Sequence, residues 1–274
     1  MDVSLRDWFK KINTYFSRTK FAEFSIWNIG LGTVFVVQAV LLLILGKSHS
    51  LPITTNYLSK DVLTSMAAGH TVLVATTRQL TTVNLKILVA LILLIAGVAH
   101  LLSGTYWRPF YERNLQKGAN PIRWIEYCLG TGLLIVVIAL VTGVSDISSL
   151  IILFLLLAIA NLCGLAMEQF NQGRRKLNWL GYIMGSISGA GAWLVLAIYS
   201  LGAINYGSGV SGYVYAVLIS IFVLFIGFAV NTYLKYKKIG QWKNYLYVEK
   251  IYLLLELATL TALAWQIFAG ALRS

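Results

Sequence analysis

Apolar residues run along this chain in seven long blocks, near 26–46, 83–104, 122–143, 148–170, 178–202, 212–234 and 246–272. Each is about the 20 residues that a helix needs to cross the hydrocarbon core of a bilayer. Polar residues collect in the gaps between blocks, most of which are short. The exception is 47–82, where "HTVLVATTRQLTTV" alternates Val and Thr closely enough to favour a strand pair. The pattern predicts an all-α membrane protein: one seven-helix domain over 1–274, capped on one face by a β-hairpin in the first outer loop.

Composition strengthens this reading. The chain is 58% hydrophobic and 12% charged, against roughly 45–50% and about 25% in soluble domains. The net charge of +12 would suit a nucleic-acid partner only if it formed one face, and it is instead parcelled between the apolar blocks. Of the 22 Lys and Arg, 17 fall in the N-terminal lead and even-numbered loops and five on the other side. By the positive-inside rule the N-terminus is therefore expected in the cytoplasm and the C-terminus outside the cell. Residues 1–25, basic and without a cleavage site, read as a cytoplasmic amphipathic lead. Cys128 and Cys163 lie in apolar blocks and read as small buried hydrophobes. His49 and His70 sit in the outer loop without a carboxylate or cysteine cluster, so no metal site is expected. No nucleophile–base set and no phosphate loop is present, so no enzyme is expected.

Ionisable groups inside a bilayer cost several kcal/mol unless paired, neutralised or hydrated, and they mark candidate sites. Arg123 and Glu126, three residues apart in "NPIRWIEYCLG", share a helical face. Glu256 interrupts "YLLLELATLTALAWQIFAG", and His100 lies near the inner end of the second block. With about 1.5 Å of rise per residue, Glu126 and Glu256 fall at similar depths in the inner half. If they meet, both do not ionise readily, and the pair is expected to share a proton while Arg123 balances the remaining charge. The blander alternative pairs Glu126 with Arg123 alone and leaves Glu256 neutral and hydrogen-bonded to a neighbouring helix. His100 is expected to be a neutral hydrogen-bonding residue. Glu168 is expected to be merely interfacial.

"SLPITTNYL", "NPIRWIEY", "GLAMEQ", "EKIY" and "LAWQIFAGAL" together resemble the heliorhodopsins, microbial-rhodopsin-like proteins of seven helices. The resemblance covers nearly all of the chain after the lead. It implies an N-terminus inside, a β-stranded first outer loop, a homodimer, and retinal held as a Schiff base on a lysine of the seventh helix. Glu126 matches the counterion of that family's "RWxEY" motif. The lysine should lie five residues before Trp265, and that position is Leu260. Three further positions depart from the family pattern: Glu256 replaces a small hydroxyl residue, Phe35 stands where a first-helix histidine is expected, and Ala192 precedes Trp193 in place of proline.

Three functions are compatible with these residues. The first is a non-pumping sensor or scaffold opsin without covalent retinal, working through its cytoplasmic loops with a partner the sequence does not name. The second binds retinal, a carotenoid or a lipid non-covalently in the chromophore cavity, with Trp193, Trp265, His100 and Tyr127 as its lining. The third moves protons or cations through Glu126 and Glu256.

Overall fold

The structure, a computed structural model, describes residues 3–207 and 209–273, with side chains from Phe21 onward. The first helix, α1 (Val3–Leu45), is continuous through the lead and the first span. Whether the lead is amphipathic depends on side chains outside the described residues. Strand β1 (Ser50–Lys60), the short helix α2 (Val62–Ala68) and strand β2 (Leu73–Asn84) form the first long loop. Helices α3 (Leu85–Gly104), α4 (Arg108–Gln116), α5 (Pro121–Val141), α6 (Ile147–Phe170), α7 (Leu180–Tyr206), α8 (Gly212–Lys237) and α9 (Tyr245–Ile267) follow, the last ending in a π-turn at Phe268–Leu272. Seven helices, α1, α3 and α5–α9, are long and apolar enough to span a membrane. This is a multi-pass membrane protein.

Local chemistry sets the helix ends. Asn120 accepts the Arg123 N–H (3.2 Å) with Pro121 at the first helical position of α5, where a missing N–H costs nothing. Asp146 caps α6 through Ser149 N (2.9 Å). Asp61 caps α2 through Thr64 N and Oγ1, and those hydrogen bonds hold its carboxyl below the usual range.

The hairpin is antiparallel, pairing Ser50 with Asn84 through Lys60 with Leu73, with a bulge beside Ile53 and Thr54. The Val/Thr-rich stretch supplies only β2. Its partner is "SLPITTNYLSK", and α2 rather than a tight turn joins the two. Thr54 N–H donates to Ser145 O (2.8 Å), which ties the hairpin to the α5–α6 turn. The hairpin covers one end of the bundle and α4 lies at the other.

Each helix packs on the next, and α9 closes the ring against α1 and α3. The α1–α3 contact is close because it is built on glycine. A Cβ added at Gly97 would come within 2.8 Å of Val36 Cγ2, and one at Gly32 within 2.8 Å of the Gly97 carbonyl. Small residues let membrane helices gain packing energy through backbone proximity. The core lies between α1, α3, α5 and α9, where Phe35, Ala39, Ile92, Ile138, Leu263 and Ile267 are buried. Ile187, Leu194 and Ile219, on α7 and α8, face outward, the apolar exterior that a lipid solvent permits.

Candidate functional site: two acidic clusters and a cavity

Two groups of ionisable side chains occupy the α4 half of the bundle. The first lies at the α4 end. Arg123, on the first turn of α5, donates from one guanidinium nitrogen to Glu249 of α9 and from the other to Glu168 at the end of α6 (2.8 Å). Lys235 of α8 also reaches Glu168 (2.6 Å). Asn120 donates its backbone N–H to Glu168 (2.9 Å) and its side-chain amide to Glu249 (2.7 Å). Tyr111 of α4 donates to Glu249 (3.1 Å), and Tyr245 to Glu168 (3.3 Å). The Tyr252 ring lies 3.9 Å from the guanidinium carbon, a cation–π contact worth up to about 2 kcal/mol when desolvated. Tyr111 lies outside the spans, and burial, then the Glu249 carboxylate, holds its phenol well above the ordinary value.

Arg123 and Lys235 thus face Glu168 and Glu249, two charges of each sign in an almost solvent-free space. This corrects two expectations. Arg123 turns to Glu168 and Glu249 rather than to Glu126 or Glu256. Glu168 is not merely a boundary carboxylate but 3% exposed and held by both cations.

The second group lies deeper. Glu126, one turn beyond Arg123, and Glu256, two turns beyond Glu249, line the same two cavities. Tyr127 donates to Glu256 Oε2 (3.1 Å). His100 Nε2 stands 3.0 Å from Glu256 Oε1, an oxygen with no hydrogen-bond partner otherwise. The other face of that ring is fixed: Asn28 commits its amide N–H to Phe24 O (2.8 Å), so Asn28 Oδ1 accepts from His100 Nδ1 (2.7 Å). With Nδ1 protonated, one further proton belongs in the contact between Nε2 and Glu256, on either side of it. His100 and Glu256 then sum to zero net charge. Glu126 makes no ion pair among the described residues and shares those two cavities with Glu256.

Beside this pair lies a cavity of about 130 Å³ between α5, α6, α7, α8 and α9. Its lining includes Leu260, Tyr127, Trp193, Phe225, Phe228 and Asn161. Leu260 is buried, one turn from Glu256 on the same face of α9. Two of the residues expected to line this space do not. His100 faces a smaller cavity on the other side of the pair. Trp265 packs edge-on against Phe268 (5.4 Å). At about 100° per residue, a residue five positions after Leu260 points roughly 140° away from it. Phe35 lies beside His100 (5.7 Å between rings), and Ala192 is buried next to Trp193.

The lysines within the spans are engaged elsewhere. Lys86 donates to Leu43 O and Gly46 O at the hairpin end, Lys235 pairs with Glu168, Lys237 lies over the Trp179 ring (5.5 Å), and Lys250 pairs with Glu23 (2.8 Å). Sequence reasoning missed Glu249, Lys235, Asn120 and Tyr111. A signal existed for the first: Glu249 and Glu256 are seven residues apart, two turns, and so share a face of α9.

The family model that matches the chain is that of the heliorhodopsins, over residues 24–272. No curated protein matches it.

Proposed function

The chain belongs to the heliorhodopsin family, and we propose that within it this protein is a non-pumping sensor or scaffold opsin that tethers no retinal. One observation carries the reading. The position where the family resemblance calls for the Schiff-base lysine is Leu260, a hydrocarbon side chain buried against the cavity that Glu126 and Glu256 also line. Among the described residues no lysine lines that cavity, so the residues present do not fit a Schiff-base pigment. The amines of Lys86, Lys235 and Lys250 are held in ion pairs or on backbone carbonyls.

The reading is tested by adding all-trans retinal to the purified protein. No visible band sensitive to hydroxylamine should form, whereas Leu260→Lys should produce one, because its amine would sit one turn from Glu256 and beside Glu126. A covalent band in the wild-type protein would overturn the proposal.

A second reading has its own support. The cavity and its aromatic wall suit a non-covalent apolar ligand, whether retinal, a carotenoid or a lipid. Organic extraction of protein from native membranes, followed by mass spectrometry, would find it in stoichiometric amount. Transport has less behind it. Toward the hairpin end the bundle interior is closed by Phe35, Ala39, Ile92, Ile138, Leu263 and Ile267, and Gln38, which donates to Thr261 (3.1 Å), does not make a chain of relays. No catalytic role is proposed.

The cytoplasmic placement of the α4 end rests on the distribution of Lys and Arg, and protease accessibility of the N-terminal lead in sealed vesicles tests it. The homodimer rests on the family resemblance, and mass measurement of the protein in nanodiscs tests it.

A further inference from the structure

A further hollow lies on the outside of the bundle, between α3, α4 and α5, with a volume of about 750 Å³. Leu94, Val98 and Leu102 of α3, Phe110 of α4, and Ile125 and Leu129 of α5 line it. Both α3 and α5 are spans, so the mouth of this groove opens sideways into lipid. Val98, Ile125 and Leu129 are about half exposed, which contact with acyl chains permits. Among the described residues, Glu126 is the one ionisable side chain in the wall. A Cβ added at Gly130 would come within 2.8 Å of Glu126 Oε1. That carboxyl is therefore turned along its own helix toward Gly130, and the rest of the wall is aliphatic or aromatic.

Helix α4 closes the groove at one end and brings charge of one sign to it. It joins the end of one span, Gly104, to the start of the next, Pro121, which puts it at headgroup depth. Tyr106, Trp107 and Phe110 are exposed there, as aromatic side chains are at a membrane boundary. Three cations, Arg108, Arg113 and Lys117, accompany one acid, Glu112, and Arg108 takes that acid at 2.7 Å. Among the described residues, Arg113 bonds only its own helix, at Pro109 O (3.1 Å), and Lys117 has no ion pair. Three and seven residues after Phe110, both fall on the side of α4 that carries it.

We propose that this groove holds one anionic phospholipid, with an acyl chain between α3 and α5 and the phosphate against Arg113 and Lys117. Groove and cations answer to the two halves of a single molecule, an apolar length and a negative head. By the distribution of Lys and Arg this end is expected to face the cytoplasm, where the leaflet carries anionic lipids. An acidic peptide would satisfy the cations but has no use for a hollow open to hydrocarbon, and a neutral lipid would leave the cations unanswered. The site lies across α5 from the cavity beside Leu260 and is independent of what that cavity holds.

The full protein in dodecyl maltoside is titrated with an equimolar mixture of dioleoyl phosphatidylglycerol and dioleoyl phosphatidylcholine, and native mass spectrometry reads which lipid is retained first. A basic side chain at the headgroups favours an anionic lipid about fivefold, so two should give a preference of about 10–30-fold. In Arg113→Gln with Lys117→Gln it should fall to about threefold or less. Val98→Trp fills the groove and should lower retention of both lipids about fivefold, the effect of losing roughly 40 Å² of apolar contact. Arg174→Gln with Arg175→Gln removes the same charge from the α6–α7 loop and should leave the preference within about twofold. All five substituted side chains are exposed, and an unchanged Tm shows that the variants are folded. Near-equal retention of the two lipids by the wild-type protein would overturn the proposal. So would an equal loss in both charge variants, because the attraction would then be diffuse. Retention untouched by Val98→Trp would overturn it too, since no chain would lie in the groove.

Discussion

Replacing Arg123 with Gln tests whether the buried cluster at the α4 end is a balanced unit. The substitution leaves Glu168 and Glu249, both almost solvent-free, facing Lys235 alone. It also removes the cation from the face of Tyr252. Breaking a buried pair by deleting one partner costs about 3–5 kcal/mol, because the other charge is left uncompensated. For a chain of this size a loss of 1 kcal/mol lowers Tm by about 2–4 °C, so the expected fall is roughly 6–20 °C.

The companion variant, Arg123→Gln with Glu249→Gln, removes one charge of each sign and leaves Lys235 with Glu168. Coupling between contacting residues is about 0.5–3 kcal/mol. For residues this closely joined the double variant should recover about 2 kcal/mol relative to the sum of the single effects. Thermal unfolding of all four proteins in the same nanodiscs, followed by near-UV circular dichroism, measures this cycle. The reasoning fails if Arg123→Gln unfolds within about 2 °C of the wild type, or if the two single losses simply add.

The two glutamates that share a face of α9 should respond unequally. Glu249→Gln should destabilise by about 3–5 kcal/mol, because Arg123 loses its counter-charge, whereas Glu256→Gln replaces the carboxyl beside His100 and Tyr127 with an amide that still offers a donor and an acceptor and should cost about 1 kcal/mol or less; thermal unfolding separates them. Gly164→Ala places a methyl group against the Trp124 ring, and overpacking of this kind costs about 1–3 kcal/mol with a shift in tryptophan fluorescence. Tyr111→Phe removes a donor from Glu249 and should cost about 1–3 kcal/mol near neutral pH. The Tyr111 phenol is held above its ordinary value of about 10, so its contribution is complete below that pH and disappears as pH rises further. Comparing Tm at pH 8 and pH 11 should therefore show a shallower alkaline loss in the Phe variant.

The spans were legible because a bilayer demands long apolar blocks, and nothing in this chain competes with that signal. What lies outside the blocks was harder to read. Helix α4 is nine residues of "RPFYERNLQ" with no apolar run, and it holds its place through Tyr111 and Leu115, both buried. The hairpin announced itself in the Val/Thr alternation of β2, but Pro52 disguises β1, since proline is confined to strand edges, starts and bulges.

In the site the limiting quantity was rotation, not depth. Arg123 and Glu126 share a face by spacing, yet a side chain as long as arginine reaches α6 and α9 instead of its own helix neighbour. Tryptophan at 265 had the right depth for the cavity wall and the wrong azimuth. Lys235 reads as a loop cation because it ends an apolar block, and only the placement of Glu168 opposite reveals it as buried.

The unusual residues of α9 constrain one another. A lysine at position 260 would bring a positive charge one turn from Glu256 and beside Glu126, and an extra acid there would have a partner. With leucine at 260, the acid at 256 has to find its balance from another helix, and His100 of α3, anchored by Asn28, provides it within 3.0 Å. That arrangement settles Glu256 and leaves Arg123 to Glu249 and Glu168. Glu126 therefore stands without a cation in a pocket with aromatic rings in its wall. A proton on Glu126 avoids the larger cost of burying a charge there without a partner.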